Sequence, residues 1–232
     1  SMIRRRIKTG IPGLDELIEG GFLEGSVNLV TGETGTGKTL FGLQFLWYGL
    51  KRGDTCVYIT LEESPEDIKA DAETFGWNLS SYEDRGLFRI VYHDPAQVNN
   101  LGSVLVDEIR TLKAKRLVLD SISLVGMVLQ DIAKIRKMIY NLINVIKNTG
   151  CTAVLISEIL SGEEKALSRH GVEEFVVDSV IVLNYLGIGE ESSRMLQIRK
   201  MRRTNHGKDY YPFEICSSGI RIKESGVTTL MR

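Results

Sequence analysis

The chain has 232 residues, with 29 Lys and Arg against 30 Asp and Glu, a formal net charge of −1. That balance excludes a global pull toward nucleic acid or an anionic membrane, so binding either would need a local patch. With 43% hydrophobic and 25% charged residues, the composition is globular and the length suits one domain. Its core is expected over about residues 3–224, with a short flexible tail at 225–232.

The opening SMIRRRIKTG is basic and then turns to Gly and Pro, which is not the pattern of a secretory leader. Its cluster from Arg4 to Lys8 reads as a solvated face. Four apolar, β-branched runs follow: SVNLVTG (26–32), TCVYITLEE (55–63), KRLVLDS (115–121) and CTAVLISE (151–158). Continuous runs of this kind predict strands buried on both faces of a parallel sheet. Helical stretches lie between them. The first, KTLFGLQFLWYGLKRG, stops at Gly53. The second begins with Ser64 as N-cap and Pro65 at the first position, and ends at Gly76. VLVDEIRTLKA and IAKIRKMIYNLINVIKNTG follow, the latter with Ile132, Ile135, Ile139, Leu142, Ile143 and Ile146 at core-packing spacing. Strand alternating with helix implies an α/β sheet with right-handed crossovers. The final third changes character. DSVIVLNYL, SRMLQIRKMRR, DYYPFEIC and GIRIKE read as short strands without helices between them, an antiparallel extension of the same sheet.

Cys56, Cys151 and Cys216 are far apart in apolar surroundings. They match neither a zinc site nor a disulfide framework, and they are expected to be buried in strands in a reducing, cytoplasmic setting. No apolar run reaches the ~18 residues of a membrane span. The best candidate, VVDSVIVLNYLG, is broken by Asp178 and Asn184.

GETGTGKT, Gly32 to Thr39, fits the phosphate-loop pattern, with a strand running in and an amphipathic helix running out. Backbone N–H groups around Gly32, Glu33, Thr34, Gly35, Thr36 and Gly37 would wrap phosphates, and the helix N-terminus through Leu40 adds partial positive charge. Lys38 would reach the β- and γ-phosphates, and Thr39 would bind Mg²⁺. Asp120 ends an apolar strand and suits the second Mg²⁺ anchor. Glu62 and Glu63 end another. Successive strand residues point to opposite faces, so Glu62 is favoured as the base that aligns water, with Glu63 as its supporter. The bland alternative is a pair of charges favourable to the next helix N-terminus.

These residues also carry a family resemblance. GIPGLDELIEGG, GETGTGKTLFGLQFLWYG, ITLEESPEDI, FGWNL, GVEEFVVDSVIVL and KMRRTNHGKDYYPFEI, in this order, resemble KaiC, the circadian-clock ATPase of the RecA/RadA superfamily. The likeness runs from about residue 3 to 224. KaiC has two such domains in tandem, so this chain is similar to the single-domain KaiC-like proteins. The resemblance implies a RecA-like P-loop fold and an oligomeric ring, usually a hexamer, with ATP between subunits. It implies Glu62 and Glu63 as catalytic. It places Lys200 and Arg202 of a neighbouring subunit against the γ-phosphate; strand period independently puts 200 and 202 on one face. By the same matching Thr204, His206 and Lys208 approach ribose, base and phosphates, and Thr74, Phe75 and Gly76 line the adenine in cis. Where one KaiC domain phosphorylates a Ser–Thr pair, this chain has Glu174–Phe175, so self-phosphorylation there is not expected.

The combined expectation is a slow, Mg²⁺-dependent ATPase acting as a ring-shaped regulator or switch. Two rivals remain: a RecA/RadA paralogue binding single-stranded DNA, and a scaffold that binds nucleotide without turnover. Both glutamates argue against the scaffold. DNA loops would follow Asp120 and Glu158. SISLVGMVLQD has no Lys or Arg, and ILSGEEKALSRHGVEEF sets Lys165 and Arg169 against four glutamates. Neither makes the footprint that counterion release needs. His170 reads as a loop residue rather than a metal ligand.

Overall fold

The structure is a computed structural model that describes residues 4–158, 176–186 and 193–223. A small antiparallel pair, β1 (Arg6–Ile7) and β2 (Phe22–Leu23), brackets a 3-10 turn at Asp15–Ile18. Then come β3 (Val27–Gly32), α1 (Lys38–Lys51), β4 (Cys56–Thr60), α2 (Pro65–Glu73), α3 (Leu79–Asp84) and β5 (Phe88–Tyr92). They are followed by α4 (Leu101–Leu112), β6 (Arg116–Asp120), α5 (Val125–Val128), α6 (Ile132–Thr149) and β7 (Thr152–Glu158). The described chain ends in β8 (Ser179–Leu186), β9 (Ser193–Met201), β10 (Tyr210–Cys216) and β11 (Gly219–Ile222).

The main sheet has the order β11-β10-β9-β8-β3-β7-β6-β4-β5. From β8 to β5 neighbouring strands are parallel, and from β8 to β11 they are antiparallel. This is the mostly parallel, helix-flanked sheet with an antiparallel C-terminal extension that the hydrophobic pattern implies. The central strands β3, β4 and β7 are buried almost throughout because helices cover both faces. On one face α1, α2 and α3 pack against the sheet through Phe41, Phe45, Ile68 and Leu79. On the other, α4 and α6 bury Leu105, Ile109, Ile139 and Ile143.

Local chemistry sets the element ends. Ser64 Oγ accepts the Asp67 N–H at 3.1 Å, the cap that starts α2. Gly150, with φ 77°, closes α6. Four expectations need correction. Ile132, expected in the core stripe of α6, is 63% exposed at its first position. The strand predicted over 55–63 stops at Thr60: the Leu61 N–H still continues the ladder to the Asp120 carbonyl at 2.8 Å, but the Thr60 hydroxyl folds the chain back by donating to the Glu63 carbonyl at 2.9 Å. Only Cys56 sits buried within a strand; Cys151 is buried just ahead of β7, and Cys216 is partly exposed at the end of β10. The basic N-terminal cluster is not simply solvated. Arg5 is exposed and 3.6 Å from Glu24, but the Arg6 side chain is 19% exposed and bonded through both terminal nitrogens. The second loop weighed for DNA, Glu174–Phe175, His170 and the tail lie outside the described residues. No described helix is long and apolar enough to cross a membrane.

Candidate nucleotide site

Gly32 ends β3, and the chain turns through Gly35 (φ 80°) and Gly37 (φ 110°) before α1 begins at Lys38. Both angles lie in the left-handed region that glycine enters without strain. No described side chain caps α1, so the N–H groups of its first turn face the cleft. The loop holds itself: the Thr36 hydroxyl donates to the Glu33 carbonyl at 2.9 Å, and Lys38 Nζ donates to the same oxygen at 2.6 Å. Tyr185 on β8 donates to the Gly35 carbonyl, and Arg194 on β9 donates to the Tyr185 hydroxyl at 2.7 Å.

The loop opens into a cleft of about 600 Å³ at the carboxyl ends of β3, β4, β6 and β7. Its walls include Thr34, Gly35, Gly37, Lys38, Thr39, Leu40, Glu62, Glu63, Asp120, Ser121 and Glu158. Open parallel sheets place ligands at this edge. The structure therefore brings Lys38, Thr39, Asp120 and both glutamates together. Because β4 has already ended, the strand argument that only one glutamate can face the site fails; both line it. The Thr60 hydroxyl donates to the Glu63 carbonyl at 2.9 Å and accepts the Glu62 N–H at 3.4 Å, which fixes the bend that presents them.

Asp120 Oδ2 accepts from the Thr39 hydroxyl at 2.8 Å and from the Tyr58 hydroxyl at 2.6 Å. Oxygen donors, with no thiol or imidazole beside them among the described residues, suit a hard cation such as Mg²⁺. Thr39 and Asp120 are thus fit to hold that ion. Charge is crowded here. Burial pulls the Lys38 ammonium below its usual value, opposed by Glu158, Asp120 and Glu33. Burial pushes the Asp120 carboxyl up, opposed by the Tyr58 and Thr39 hydrogen bonds and by Lys38. Glu63 is raised by partial desolvation and then by Asp71, Asp120, Glu62 and Asp67.

Two contributors escaped the sequence reading. Tyr58 is an aromatic in an apolar strand, and its partner appears only when β4 lies beside β6. Glu158 ends β7 as Asp120 ends β6, pairs in register with Gly32, and accepts from the Thr34 hydroxyl. Its position at a strand end was the available signal.

The remaining candidates divide. Phe75 lines a second hollow of about 210 Å³ with Gln44, Trp47, Trp77, Ser217 and Ser218, its ring stacked 5.0 Å from that of Trp77. The Thr74 hydroxyl instead donates back to the Asp71 carbonyl at 2.6 Å, and Gly76 faces open space. Lys200 pairs with Val180, three residues before Leu183, which pairs with Gly32. A bulge at Arg199 precedes it, the strand ends at Met201, and Arg202 and Arg203 form a turn, so the expectation that strand period sets 200 and 202 on one face does not hold. Arg202 Nη1 lies 3.4 Å from Asp178 Oδ1, and Asp178 Oδ2 accepts the Val27 N–H at the amino end of β3. The 202–208 segment thus sits at the opposite edge of the sheet from the phosphate loop. There His206 Nδ1 bonds the Gly207 carbonyl at 2.8 Å and Lys208 Nζ lies 3.3 Å from His206 Nε2.

The family model described as "ATPase: KaiC" matches residues 7–227. The chain belongs to the KaiC family of ATPases. A UPF0273 protein of Thermotoga maritima is 37% identical over 238 residues, covering 95% of this chain and 97% of that one. The circadian clock oscillator protein KaiC of Picosynechococcus is 38% identical, over 97% of this chain but 46% of its own length. This chain therefore spans about half of a KaiC. A crystal structure of a KaiC-like protein from Pyrococcus horikoshii superimposes with a TM-score of 0.87 at 40% identity, covering 96% of this chain and all of that one. The RecA-like P-loop fold follows from this match and from the sheet order.

Proposed function

We propose that this KaiC-family protein binds ATP with Mg²⁺, hydrolyses it slowly, and works in the cytoplasm as an oligomeric ring, of hexameric size, whose nucleotide state signals to a protein partner. The observation that carries the reading is the convergence of Lys38, Thr39, Glu62, Glu63 and Asp120 on one cleft at the mouth of a phosphate loop.

The loop N–H groups and Lys38 hold the phosphates and orient the γ-phosphoryl group. Mg²⁺, when bound by Thr39 and Asp120, neutralises charge on the phosphate oxygens. The Glu62–Glu63 pair aligns a water for attack and accepts its proton. Phosphoryl transfer leaves a protein little covalent work, so positioning and charge stabilisation carry the catalysis. Phe75 flanks the base side. Lys200 and Arg202 act on the nucleotide of the adjacent subunit, with Thr204, His206 and Lys208 beside them. Self-phosphorylation is not part of this reading, because Glu174–Phe175 stand where the resemblance places a Ser–Thr pair.

The DNA-binding reading gains nothing from the described segment after β6, whose short helix α5 exposes Met127 and Val128 rather than cations. The test is phosphate release from ATP by the purified protein, with and without Mg²⁺. Lys38→Ala should abolish it, and Glu62→Gln should lower kcat by about a hundredfold or more. If the purified protein releases no phosphate, and neither Glu62→Gln nor Glu63→Gln changes that, the enzymatic reading fails.

A further inference from the structure

The turn that carries Arg202 is held from two sides. On one, Asp178 accepts the Arg202 N–H through its carbonyl at 2.9 Å and faces the guanidinium with Oδ1 at 3.4 Å. On the other stands Arg6, from the far end of the sequence. Its Nη1 donates to Thr204 Oγ1 at 2.9 Å, to the Gly21 carbonyl at 3.2 Å and to the Ile18 carbonyl at 3.4 Å. Its Nη2 donates to Glu19 Oε2 at 2.9 Å and to the Arg203 carbonyl at 3.3 Å. Two of these acceptors belong to the turn, and three belong to the stretch between β1 and β2.

Arg203, in the middle of that turn, has φ 55°. A non-glycine residue in the left-handed region is strained, and such strain persists only where the surroundings over-determine it. Thr204 adds a further restraint by donating to the Arg202 carbonyl at 3.0 Å. A relaxed turn would serve if the segment merely joined β9 to β10. A turn clamped in a strained shape by a planar, forked side chain serves to fix where its neighbours point.

We propose that Arg6 is a positioning residue for the proposed trans element: by locking the Arg202–Thr204 turn, it sets the direction in which Arg202 meets the adjacent subunit's phosphates. This rests on the reading that Arg202 acts in trans. Arg6 itself touches no nucleotide. Its effect on turnover therefore passes through Arg202, whereas a side chain that only tied the N-terminal hairpin down would act independently of it.

The experiment is a double-mutant cycle on the full chain: Arg6→Ala, Arg202→Ala and both together. It reads kcat, binding of a fluorescent ADP analogue, assembly size and melting temperature. Arg6→Ala should lower kcat by about ten- to a hundredfold, the scale of misplacing a reacting group by roughly an ångström. Nucleotide affinity and assembly should stay within about twofold, and Arg6→Ala should cost little more once Arg202 is gone. Arg6→Lys keeps the charge and stem, but one ammonium cannot bridge the acceptors of both Nη atoms. It should lose kcat as well, and it carries the test if the alanine variant fails to fold. Two outcomes overturn the inference while the trans reading survives: Arg202→Ala cripples turnover while both Arg6 variants leave it intact, or Arg6→Ala loses the same factor with and without Arg202. If Arg202→Ala alone leaves kcat unchanged, the trans reading itself falls and takes this inference with it.

Discussion

On Asp120 the two carboxylate oxygens have different surroundings: Oδ2 accepts from both Thr39 and Tyr58, which orients the group and leaves Oδ1 for the cleft. A threonine hydroxyl has one donor and two acceptor lone pairs, so Thr39 can keep its bond to Asp120 and still offer a lone pair to a cation. Tyr58, buried to 0% exposure, can do only one of those things: its hydroxyl holds the carboxylate. Tyr58→Phe keeps the ring volume and removes that hold. The Mg²⁺ concentration needed for half-maximal nucleotide binding should rise roughly tenfold, the usual effect of removing a partner that orients a metal ligand. Metal-free nucleotide binding should not move. A titration in which the Mg²⁺ midpoint of Tyr58→Phe equals that of the parent would show that Thr39 alone orients Asp120. The phosphate loop was legible in the sequence because its function sits in eight consecutive residues with fixed roles. Tyr58 was not, since its partner is 62 residues away and comes near only through the adjacency of β4 and β6. Arg6 was hidden for the same reason, 198 residues from Thr204.

At the scale of elements, α1 must lie close over β6 for the phosphate loop to sit at the sheet edge. Gly49 permits that approach. A Cβ there would stand 2.3 Å from Arg116 Nε and 2.5 Å from its Cδ. Arg116 cannot swing aside, because it is buried and bonded to Asp54 at 3.0 Å and to the Lys8 and Phe45 carbonyls at 2.8 Å each. Helix propensity alone favours Gly49→Ala by about 1 kcal/mol. Overpacking against a pinned, buried cation costs more, about 1–3 kcal/mol, and releasing that cation from its acceptors adds to it. The net expectation is a destabilised protein, read as a lower denaturation midpoint without nucleotide. A midpoint equal to or above the parent's would mean that Arg116 relocates freely. The strands around α1 were legible as continuous apolar runs because both faces of the sheet are covered. The ends were less so: Leu61 in TCVYITLEE is buried and looks like strand, yet β4 ends at Thr60, whose hydroxyl folds the chain back onto the Glu63 carbonyl. β5 was missed altogether. As the outer parallel strand it reads FRIVY, with Arg89 exposed and Tyr92 48% exposed, so it lacks the hydrophobic run that marks its inner neighbours.

For the whole molecule, the sheet's direction separates the two halves of the proposed site. The phosphate loop leaves β3 at Gly32, while Arg202 is tied through Asp178 to Val27 at the other end of the same strand. Five residues of extended chain span roughly 17 Å, too far for an arginine side chain to reach its own subunit's γ-phosphate without dismantling the turn. If Lys200 and Arg202 serve the reaction, they serve a neighbour's nucleotide through a head-to-tail contact, which builds a ring where the rotation closes and a filament where it does not. This predicts complementation. Protein carrying Lys38→Ala has intact trans cations and a dead phosphate loop; protein carrying Lys200→Ala and Arg202→Ala has the converse. Each alone should be inactive. In a one-to-one mixture with random subunit exchange, about a quarter of the head-to-tail interfaces join an intact loop to intact cations. Phosphate release should therefore return to about a quarter of the parental rate, growing as subunits exchange. Were both groups needed within one subunit, every subunit in the mixture would lack one of them and the mixture would stay dead. A mixed assembly that exchanges subunits, shown by fluorescence transfer between labelled chains, and still releases no phosphate would place the two halves of the site in the same subunit.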